Sequence, residues 1–234
     1  MYILTTEIKR PLLEHDFNYM LRFVPSTLHK EILRYKRWQD RQASLFGKLL
    51  LAKGLGFYGI DPRAIGKISF NAYKRPYLAD TTIDFNISHT EELVVCFICN
   101  HVRVGVDIEK VKKINLEDFQ SVFTPKELEW LNKKPEDYRR FYRLWTMKEA
   151  LVKAEGSGLH FPLLEIDTLE NPHWTKVNNY TWYYFTWELH KGHMGTIVMN
   201  RPKSFYEVTQ VQCDYSSTGE LNDGRSTMLE VINK

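Results

Sequence analysis

The chain has 234 residues, of which 43% are hydrophobic and 26% charged, as in an ordinary globular protein. A formal net charge of +3 is too small to indicate a protein that binds nucleic acid. The N-terminus lacks a basic region followed by an apolar run of signal length, and no stretch reaches the ~20 apolar residues of a membrane helix. We therefore expect a cytoplasmic protein whose partners are neither nucleic acid nor membrane.

The first hundred residues alternate between helical and strand patterns. YILTTEI (2–8) predicts a strand, Pro11 opens a helical stretch to about Val24, and a second helical stretch covers 26–55. The second stretch is basic, which is typical of a solvated face and also suits an edge that binds anions. Strand-like runs follow at 67–73, 82–88 and 93–99, with a hairpin turn at 90–92. Ser88 and His89 stand where the middle run ends, an exposed position that is often functional.

Two cysteines, Cys96 and Cys99, have the C-x-x-C spacing that occurs in zinc and redox sites. They lie within the apolar run LVVCFIC, and the chain has no second ligand pair of this kind. We therefore interpret both thiols as small hydrophobic side chains of a buried strand.

The run VRVGVDIEKV (102–111) alternates between apolar and acidic positions. A strand of period two places Asp107 and Glu109 side by side on one face. This pattern fits an amphipathic edge strand, and it also fits a pair of metal-binding carboxylates. Gly105 just before them predicts a bulge or a close approach of another backbone.

Two helices are predicted after this strand. Thr124, Pro125 and Glu127 form a capping box that begins the first. The second runs from about Tyr138 through WTMKEALVKAEGSGL (145–159) and ends at its glycines. Glu149 and Lys153 lie four apart on it, so they point to the same side, either as a surface ion pair or as parts of a site.

From Phe161 onward the pattern turns to strands: 163–169, 180–190, 194–200 and 205–215. Each half of the chain thus has helices and a meander of strands, without a sequence repeat. We divide the chain into an N-terminal subdomain of residues 1–102 and a C-terminal subdomain of residues 103–234.

These residue types together suit a diphosphate with magnesium. Mg²⁺ prefers oxygen ligands, and Asp107, Glu109 and Glu149 can supply three carboxylates that would otherwise repel one another. Lys153 can hold a phosphate as a point charge. His89 and the basic first half can hold further phosphates.

GVDIEK (105–110) and WTMKEALVKAEG (145–156) resemble the two signature segments of phosphopantetheinyl transferases. FNISH (85–89), KRPY (74–77) and VFTPKELEWL (122–131) are similar to further segments of that family. The length and the two-part layout resemble the surfactin-synthetase type. The resemblance covers residues 30–160 well and the two ends only in outline.

The resemblance implies an α+β fold: a pseudodimer of two similar α/β subdomains, each a small, mostly antiparallel sheet packed on helices, with the active site between them. It implies a monomeric 4′-phosphopantetheinyl transferase that moves the phosphopantetheine moiety of coenzyme A to a serine of an apo acyl or peptidyl carrier protein and releases 3′,5′-ADP. Such modification serves nonribosomal peptide, polyketide or fatty acid biosynthesis. The N-terminal subdomain would face the coenzyme A nucleotide, and the C-terminal one would carry the metal strand and signature helix.

The resemblance also implies roles for single residues. Asp107, Glu109 and Glu149 would bind Mg²⁺, Glu149 or Glu109 would act as base for the serine, and Lys153 would contact the diphosphate. Four further residues would bind coenzyme A: Arg75 by the adenine, His89 at its phosphates, Arg41 at the 3′-phosphate, and Ser88. Lys148 and Trp145 would be structural or supporting residues. Ala43 stands where the family usually has the 3′-phosphate arginine, and Arg41, Arg37 or Lys36 would substitute for it.

Two other functions fit parts of the pattern. A magnesium-dependent nuclease or pyrophosphohydrolase also groups Asp-x-Glu with a further carboxylate, and an interaction module would use the charged runs as solvated faces. For the transferase, we expect the carrier to dock on 111–123, where apolar side chains follow Lys112 and Lys113.

Overall fold

The computed structural model describes residues 1–190, 192–202, 207–215 and 223–227. These divide into two compact units. The first comprises Met1–Asn71, Pro76–His101 and the described residues after 206. The second comprises Ala72–Arg75 and the described residues from Val102 to 202. No helix in the described ranges is long and apolar enough to span a membrane.

The described residues form five α-helices and eleven strands. The helices are α1 Glu14–Leu21, α2 His29–Leu33, α3 Trp38–Gly56, α4 Pro125–Asn132 and α5 Tyr138–Glu155. The strands are β1 Tyr2–Glu7, β2 Ile68–Phe70, β3 Pro76–Leu78, β4 Ile83–His89, β5 Leu93–Asn100, β6 Val104–Lys110, β7 Trp174–Val177, β8 Tyr180–His190, β9 His193–Met199, β10 Thr209–Cys213 and β11 Asp223–Thr227.

The first unit packs the long helix α3 on a five-stranded sheet of order β11-β10-β1-β5-β4. Gly47 and Gly54 allow this packing, because a Cβ there would lie 3.1 Å from Ile87 and 3.0 Å from Ile98. β2 and β3 pair separately as a two-stranded sheet. Cys96 and Cys99 are buried in β5 as predicted, and burial raises the pKa of the Cys99 thiol to about 11.

The second unit packs α5 on a four-stranded antiparallel sheet of order β6-β9-β8-β7. Among the described strands β6 pairs with β9 alone, so it is an edge strand, as its alternating pattern indicated. α4 begins with the predicted capping box, in which Thr124 and Glu127 exchange both hydrogen bonds. α5 ends at Gly156, whose φ of 89° is the left-handed conformation expected there. The expected α+β fold, with small, mostly antiparallel sheets packed on helices in two domains, is confirmed.

Three sequence-based expectations differ from the structure. The basic stretch 26–55 is two helices, because the chain leaves helical geometry between Leu33 and Trp38. The predicted strand 163–169 was wrong: Leu163–Glu165 form a 3₁₀ turn. The carbonyl of Leu163 and the amide of Thr168 bond to buried side chains instead of a neighbouring strand. β3, β7 and β11 were not predicted.

The two units do not follow the predicted subdomain boundaries at residues 72–75 and after 206. β10 pairs in parallel with β1, and β11 pairs with β10, so these strands extend the first sheet although they end the chain. A parallel pairing between chain ends leaves no local sequence pattern. The division of 1–102 from 103–234 stays a prediction, and the first unit contains described residues from both sides of that boundary.

Candidate active site

The candidate site of the second unit depends on how closely α5 approaches β6. Gly105, Asp107 and Glu109 alternate along β6, so their side-chain positions share one face. A Cβ on Gly105 would lie 2.1 Å from the carbonyl oxygen of Ala150 and 2.6 Å from the amide nitrogen of Ala154. Only glycine allows this contact, and it brings α5 onto the face that carries both carboxylates.

Asp107 and Lys153 form an ion pair across this contact. Lys153 Nζ donates to Asp107 Oδ1 at 2.6 Å. The Asp107 side chain is 5% exposed and that of Lys153 is 29% exposed. A buried carboxylate at this distance from an ammonium group is compensated in charge, while Lys153 keeps access to solvent.

Glu109, the second carboxylate of β6, is contacted by Trp145. The indole Nε1 donates to Glu109 Oε1 at 3.2 Å. Burial raises the pKa of Glu109, and the negative charge of Asp107 raises it further, while the Trp145 bond and Lys153 oppose the rise. Trp145 is itself held by edge-to-face contact with Phe119 and by stacking on Phe141. The sequence indicated a supporting role for Trp145 but not its partner.

Glu149 approaches the same group of charges from α5. Burial raises its pKa, Lys153 lowers it, and Asp107 raises it. The structure thus brings four predicted site residues together: Asp107, Glu109, Glu149 and Lys153. Their charges influence one another although they come from β6 and α5.

Among the described residues, no three His, Cys, Asp or Glu side chains are grouped in a way that could hold a metal ion. The chemistry of the donor set nevertheless fits a divalent cation. Burial and mutual repulsion raise the pKa of both Glu109 and Glu149, and a positive ion among hard oxygen donors would relieve both effects.

Two arginines hold the end of α5. Arg75 Nε donates to the carbonyl of Lys153 at 2.9 Å and Nη2 donates to that of Val104 at 3.0 Å. Arg103 donates to the next two carbonyls, those of Ala154 and Glu155. The carbonyls of Lys153, Ala154 and Glu155 lie in the last turn of α5, where a helix leaves its carbonyls without partners. Cations there also complement the helix dipole. Arg75, predicted beside the adenine, therefore has a structural role in this unit, and Arg103 carried no sequence signal.

Lys148, the neighbour of Glu149, lies in a fully buried polar network. Its Nζ lies 2.7 Å from Glu127 Oε2 and donates to the carbonyls of Val122 and Leu163. Glu127 also accepts from the backbone and hydroxyl of Thr168. Burial lowers the pKa of Lys148, and Glu127 counteracts this. The network joins α5 to the start of α4 and to the loop after α5.

Three predicted coenzyme residues belong to the first unit. Ser88 is buried near the end of β4, and His89 is exposed as its last residue. Arg41 Nε and Nη2 both donate to the carbonyl of Tyr35, at 3.1 and 3.0 Å. Arg41 also lines a cavity of about 370 Å³ with Trp38, Leu33 and Phe17.

Two family models match the chain. One is described as 4′-phosphopantetheinyl transferase superfamily and covers residues 103–205. The other is described as 4′-phosphopantetheinyl transferase, N-terminal, and covers residues 10–100. Together they span both regions that the sequence assigned to separate subdomains.

Curated relatives have the same name. The chain is 34% identical to 4′-phosphopantetheinyl transferase gsp of Aneurinibacillus migulanus over 163 residues, which are 69% of this chain and 68% of that protein. It is 32% identical to 4′-phosphopantetheinyl transferase Sfp of Bacillus subtilis (strain 168) over 158 residues, 66% of this chain and 70% of the relative. A yeast relative, the L-aminoadipate-semialdehyde dehydrogenase-phosphopantetheinyl transferase of Saccharomyces cerevisiae, is 27% identical over 179 residues, 70% of this chain and 65% of the relative.

These names favour a transferase over the nuclease or pyrophosphohydrolase that an Asp-x-Glu pattern alone would allow. They also confirm the resemblance drawn from GVDIEK and WTMKEALVKAEG. The first segment lies in β6 and the second covers the C-terminal part of α5, and these two elements carry the charged side chains described above. The chain is an enzyme of the 4′-phosphopantetheinyl transferase family.

Proposed function

We propose that this enzyme transfers the phosphopantetheine moiety of coenzyme A to a serine hydroxyl of an apo acyl or peptidyl carrier protein, with release of 3′,5′-ADP. The observation that carries the proposal is the Lys153–Asp107 ion pair where α5 contacts β6, beside Glu109 and Glu149, whose pKa values these two charges shift. Transfer of a phosphoryl-type group depends chiefly on positioning and on neutralising oxygen charge, and this set suits both tasks.

Asp107, Glu109 and Glu149 would hold Mg²⁺ on the diphosphate. A bound Mg²⁺ would supply positive charge that stabilises the oxygens on which negative charge develops. Asp107 is the most buried of the three, and its ion pair with Lys153 is consistent with a carboxylate that binds a positive charge there. Trp145 would keep Glu109 in position through the indole hydrogen bond.

Lys153 and Glu149 would act on the substrates directly. Lys153 is partly exposed, so its ammonium group can turn from Asp107 to a phosphate oxygen when coenzyme A binds. Glu149, or Glu109 through a water molecule, would accept the proton of the serine hydroxyl. Burial raises the pKa of both carboxyls, which makes each a better proton acceptor than an exposed glutamate.

The other coenzyme contacts remain predictions. Ser88 and His89 would bind its phosphates from the end of β4, and Arg41 would bind the 3′-phosphate. Arg75 would lie beside the adenine while its Nε and Nη2 donate to backbone carbonyls. The monomeric state and the cytoplasmic location also remain predictions, and light scattering of the purified protein tests the first.

Intact-mass analysis of an apo carrier domain incubated with the enzyme, coenzyme A and Mg²⁺ tests the proposal. We expect the carrier to gain the mass of one phosphopantetheine group, and a carrier whose acceptor serine is replaced by alanine to gain none. Hydrolysis of coenzyme A without modification of any carrier would instead indicate a pyrophosphohydrolase.

A further inference from the structure

A chain of three threonine hydroxyls runs through the second unit and has no role in the chemistry proposed above. Thr196 of β9 lies in the middle of it. Its Oγ1 is 2.8 Å from that of Thr146 on α5 and 2.8 Å from that of Thr186 on β8. Thr146 and Thr196 are fully buried, and Thr186 is partly buried. The chain therefore bonds α5 to the sheet inside the core.

The register of the sheet places this chain level with Asp107. Thr196 is paired with Asp107 of β6 on one side and with Thr186 of β8 on the other, so the three side chains form a row on one face. Directly opposite residues of antiparallel strands have Cβ atoms about 4.5–5.5 Å apart. α5 lies on the same face, since Thr146 bonds to Thr196 there. The helix is thus bonded to the row that carries Asp107.

The direction of the hydrogen bonds shows that the chain holds α5 and does not move protons. Thr146 donates to the carbonyl of Arg143, one turn earlier on α5. A hydroxyl has a single proton, so the bond between Thr146 and Thr196 uses the proton of Thr196. The bond between Thr196 and Thr186 then uses that of Thr186. Thr196 has no proton left to donate to Asp107.

Thr146 lies on the side of α5 that carries two site residues. Glu149 and Lys153 follow it by three and seven residues, at about 4.5 and 10.5 Å along the helix axis, so all three point to one side. The apolar residues of α5 in this core include Met147, which is flexible, and two alanines, which have little to interlock. Such contacts tolerate a shift along the axis better than a hydrogen bond of 2.8 Å does. Gly105 decides how closely α5 approaches, and the threonine bond decides where along its axis.

Two other side-chain bonds join α5 to β6, and both end on site carboxylates. Lys153 donates to Asp107, and Trp145 donates to Glu109. In the proposed reaction Asp107 and Glu109 would bind Mg²⁺ and Lys153 would turn to a phosphate, so these bonds would weaken or open. The threonine bond involves none of these groups and persists while they change partners.

We propose that Thr196 is a positioning residue for the transfer reaction. Through Thr146 it fixes α5 along the helix axis and so holds Glu149 and Lys153 level with Asp107 while the substrates bind. The inference rests on the proposed function, which gives these three residues their tasks toward Mg²⁺ and the diphosphate.

Replacement of Thr196 by valine and by serine tests the inference. Thr196→Val keeps the shape of the side chain without the hydroxyl, whereas Thr196→Ser keeps the hydroxyl without the methyl group. We expect the kcat of transfer to fall about ten-fold to a hundred-fold in Thr196→Val, since a misplacement of about 1 Å can have an effect of that size. Thr196→Ser should keep a kcat close to that of the wild type, although the lost methyl group lowers its melting temperature.

The Mg²⁺ concentration that gives half of the full rise in melting temperature is a second readout, and it needs no activity assay. It should increase roughly ten-fold in Thr196→Val, as is typical when a group that orients metal ligands is lost, and return to the wild-type value in Thr196→Ser. A residue that served folding alone would make both readouts follow the melting temperature. Thr196→Ser as impaired as Thr196→Val, or Thr196→Val equal to the wild type, would overturn the inference.

Thr181→Val is the matched control. Thr181 is a partly buried threonine of β8 whose hydroxyl has no hydrogen bond with the residues that the structure describes, so both readouts should match the wild type.

Thr146→Val removes the other half of the same bond. Because the two hydroxyls act through one contact, Thr146→Val combined with Thr196→Val should be no worse than either single variant. Additive losses would show that they act separately and would overturn the inference. If the wild type modified no carrier, the proposed function would be wrong, and the Mg²⁺ readout, which needs no carrier, would still test the position of α5.

Discussion

Asp107 and Lys153 balance each other's charge at the point where α5 meets β6. Their 2.6 Å contact compensates the charge of a nearly buried carboxylate. Because Lys153 is partly exposed, the pair is easily opened, unlike a pair with both members buried. The pair can therefore stabilise the free enzyme and still release both groups for a substrate.

The Asp107→Asn substitution should separate chemistry from folding. We expect transfer to fall at least a hundred-fold, since the carboxylate that best accepts a cation is lost, while the free energy of unfolding changes by less than ~2 kcal/mol. Product formation by mass analysis and urea unfolding measure the two effects. Glu165→Gln, which alters an exposed carboxylate elsewhere in the second unit, is the control. Near-normal transfer by Asp107→Asn at saturating Mg²⁺ would exclude Asp107 as a ligand.

Magnesium alone should stabilise the wild-type protein. A ligand that binds only the folded state at a hundred times its Kd adds about 2.7 kcal/mol, which raises the melting temperature. Thermal unfolding with Mg²⁺ and with EDTA measures this effect without any activity assay. The shift should disappear in Asp107→Asn, and an equal shift in both proteins would place the ion elsewhere.

At the scale of elements, the contact of α5 with β6 depends on Gly105. Gly105→Ala would place a Cβ against backbone atoms of Ala150 and Ala154, which cannot rotate away as a side chain can. We expect a loss of stability at or above the ~1–3 kcal/mol typical of overpacking, together with loss of transfer, because the helix must move from the carboxylates. Chemical denaturation measures the first effect.

The matched control for this prediction is Gly56→Ala. Gly56 ends α3, and a Cβ there would meet nothing within 4 Å. Alanine in a helix is favoured over glycine, so this variant should be as stable as the wild type or slightly more. If Gly105→Ala behaved in the same way, the close approach would not be what positions α5.

Lys148 secures α5 through a fully buried ion pair. Lys148→Met should destabilise the protein by about 3–5 kcal/mol, because Glu127 is left as a buried carboxylate without its counter-ion. Lys126→Met, at an exposed lysine, is the control and should change stability by less than ~0.5 kcal/mol. Adding Glu127→Gln to Lys148→Met should recover part of the loss, and an additive further loss would show that the pair is not coupled.

At the scale of the whole molecule, the end of the chain completes the first sheet although it lies beyond both family matches. β10 pairs with β1 and contributes Val211 and Cys213 to the core of the first unit. Truncation after residue 202 should cost at least ~3 kcal/mol, since a buried side chain of this size is worth about 1.5–3 kcal/mol. Hydrogen exchange of the β1 amides should accelerate.

Truncation after residue 215 is the comparison for this experiment. It removes β11 and leaves β10 paired with β1, so the β1 amides should stay protected. Equal exchange in the two truncated proteins would mean that β10 contributes no more to the first sheet than β11 does.

The sequence by itself determined which face each element presents. The two-residue period of β6 placed Asp107 and Glu109 together, and the helical spacing of α5 placed Glu149 beside Lys153. The capping box at Thr124 and the turn at Gly156 marked helix ends correctly. These signals are local, because the steric and hydrogen-bonding rules behind them act over one or two turns of chain. The signature segments then identified the family.

The tertiary structure decided which partners those faces meet. Lys153 lies 46 residues from Asp107 and Lys148 lies 21 from Glu127, and no period in the sequence links either pair. The same holds for the two arginines that cap α5 and for β10 beside β1. Such contacts depend on how closely a helix and a strand can pack. In the second unit that distance is decided by the missing side chain of Gly105, whose effect appears only once α5 lies against it.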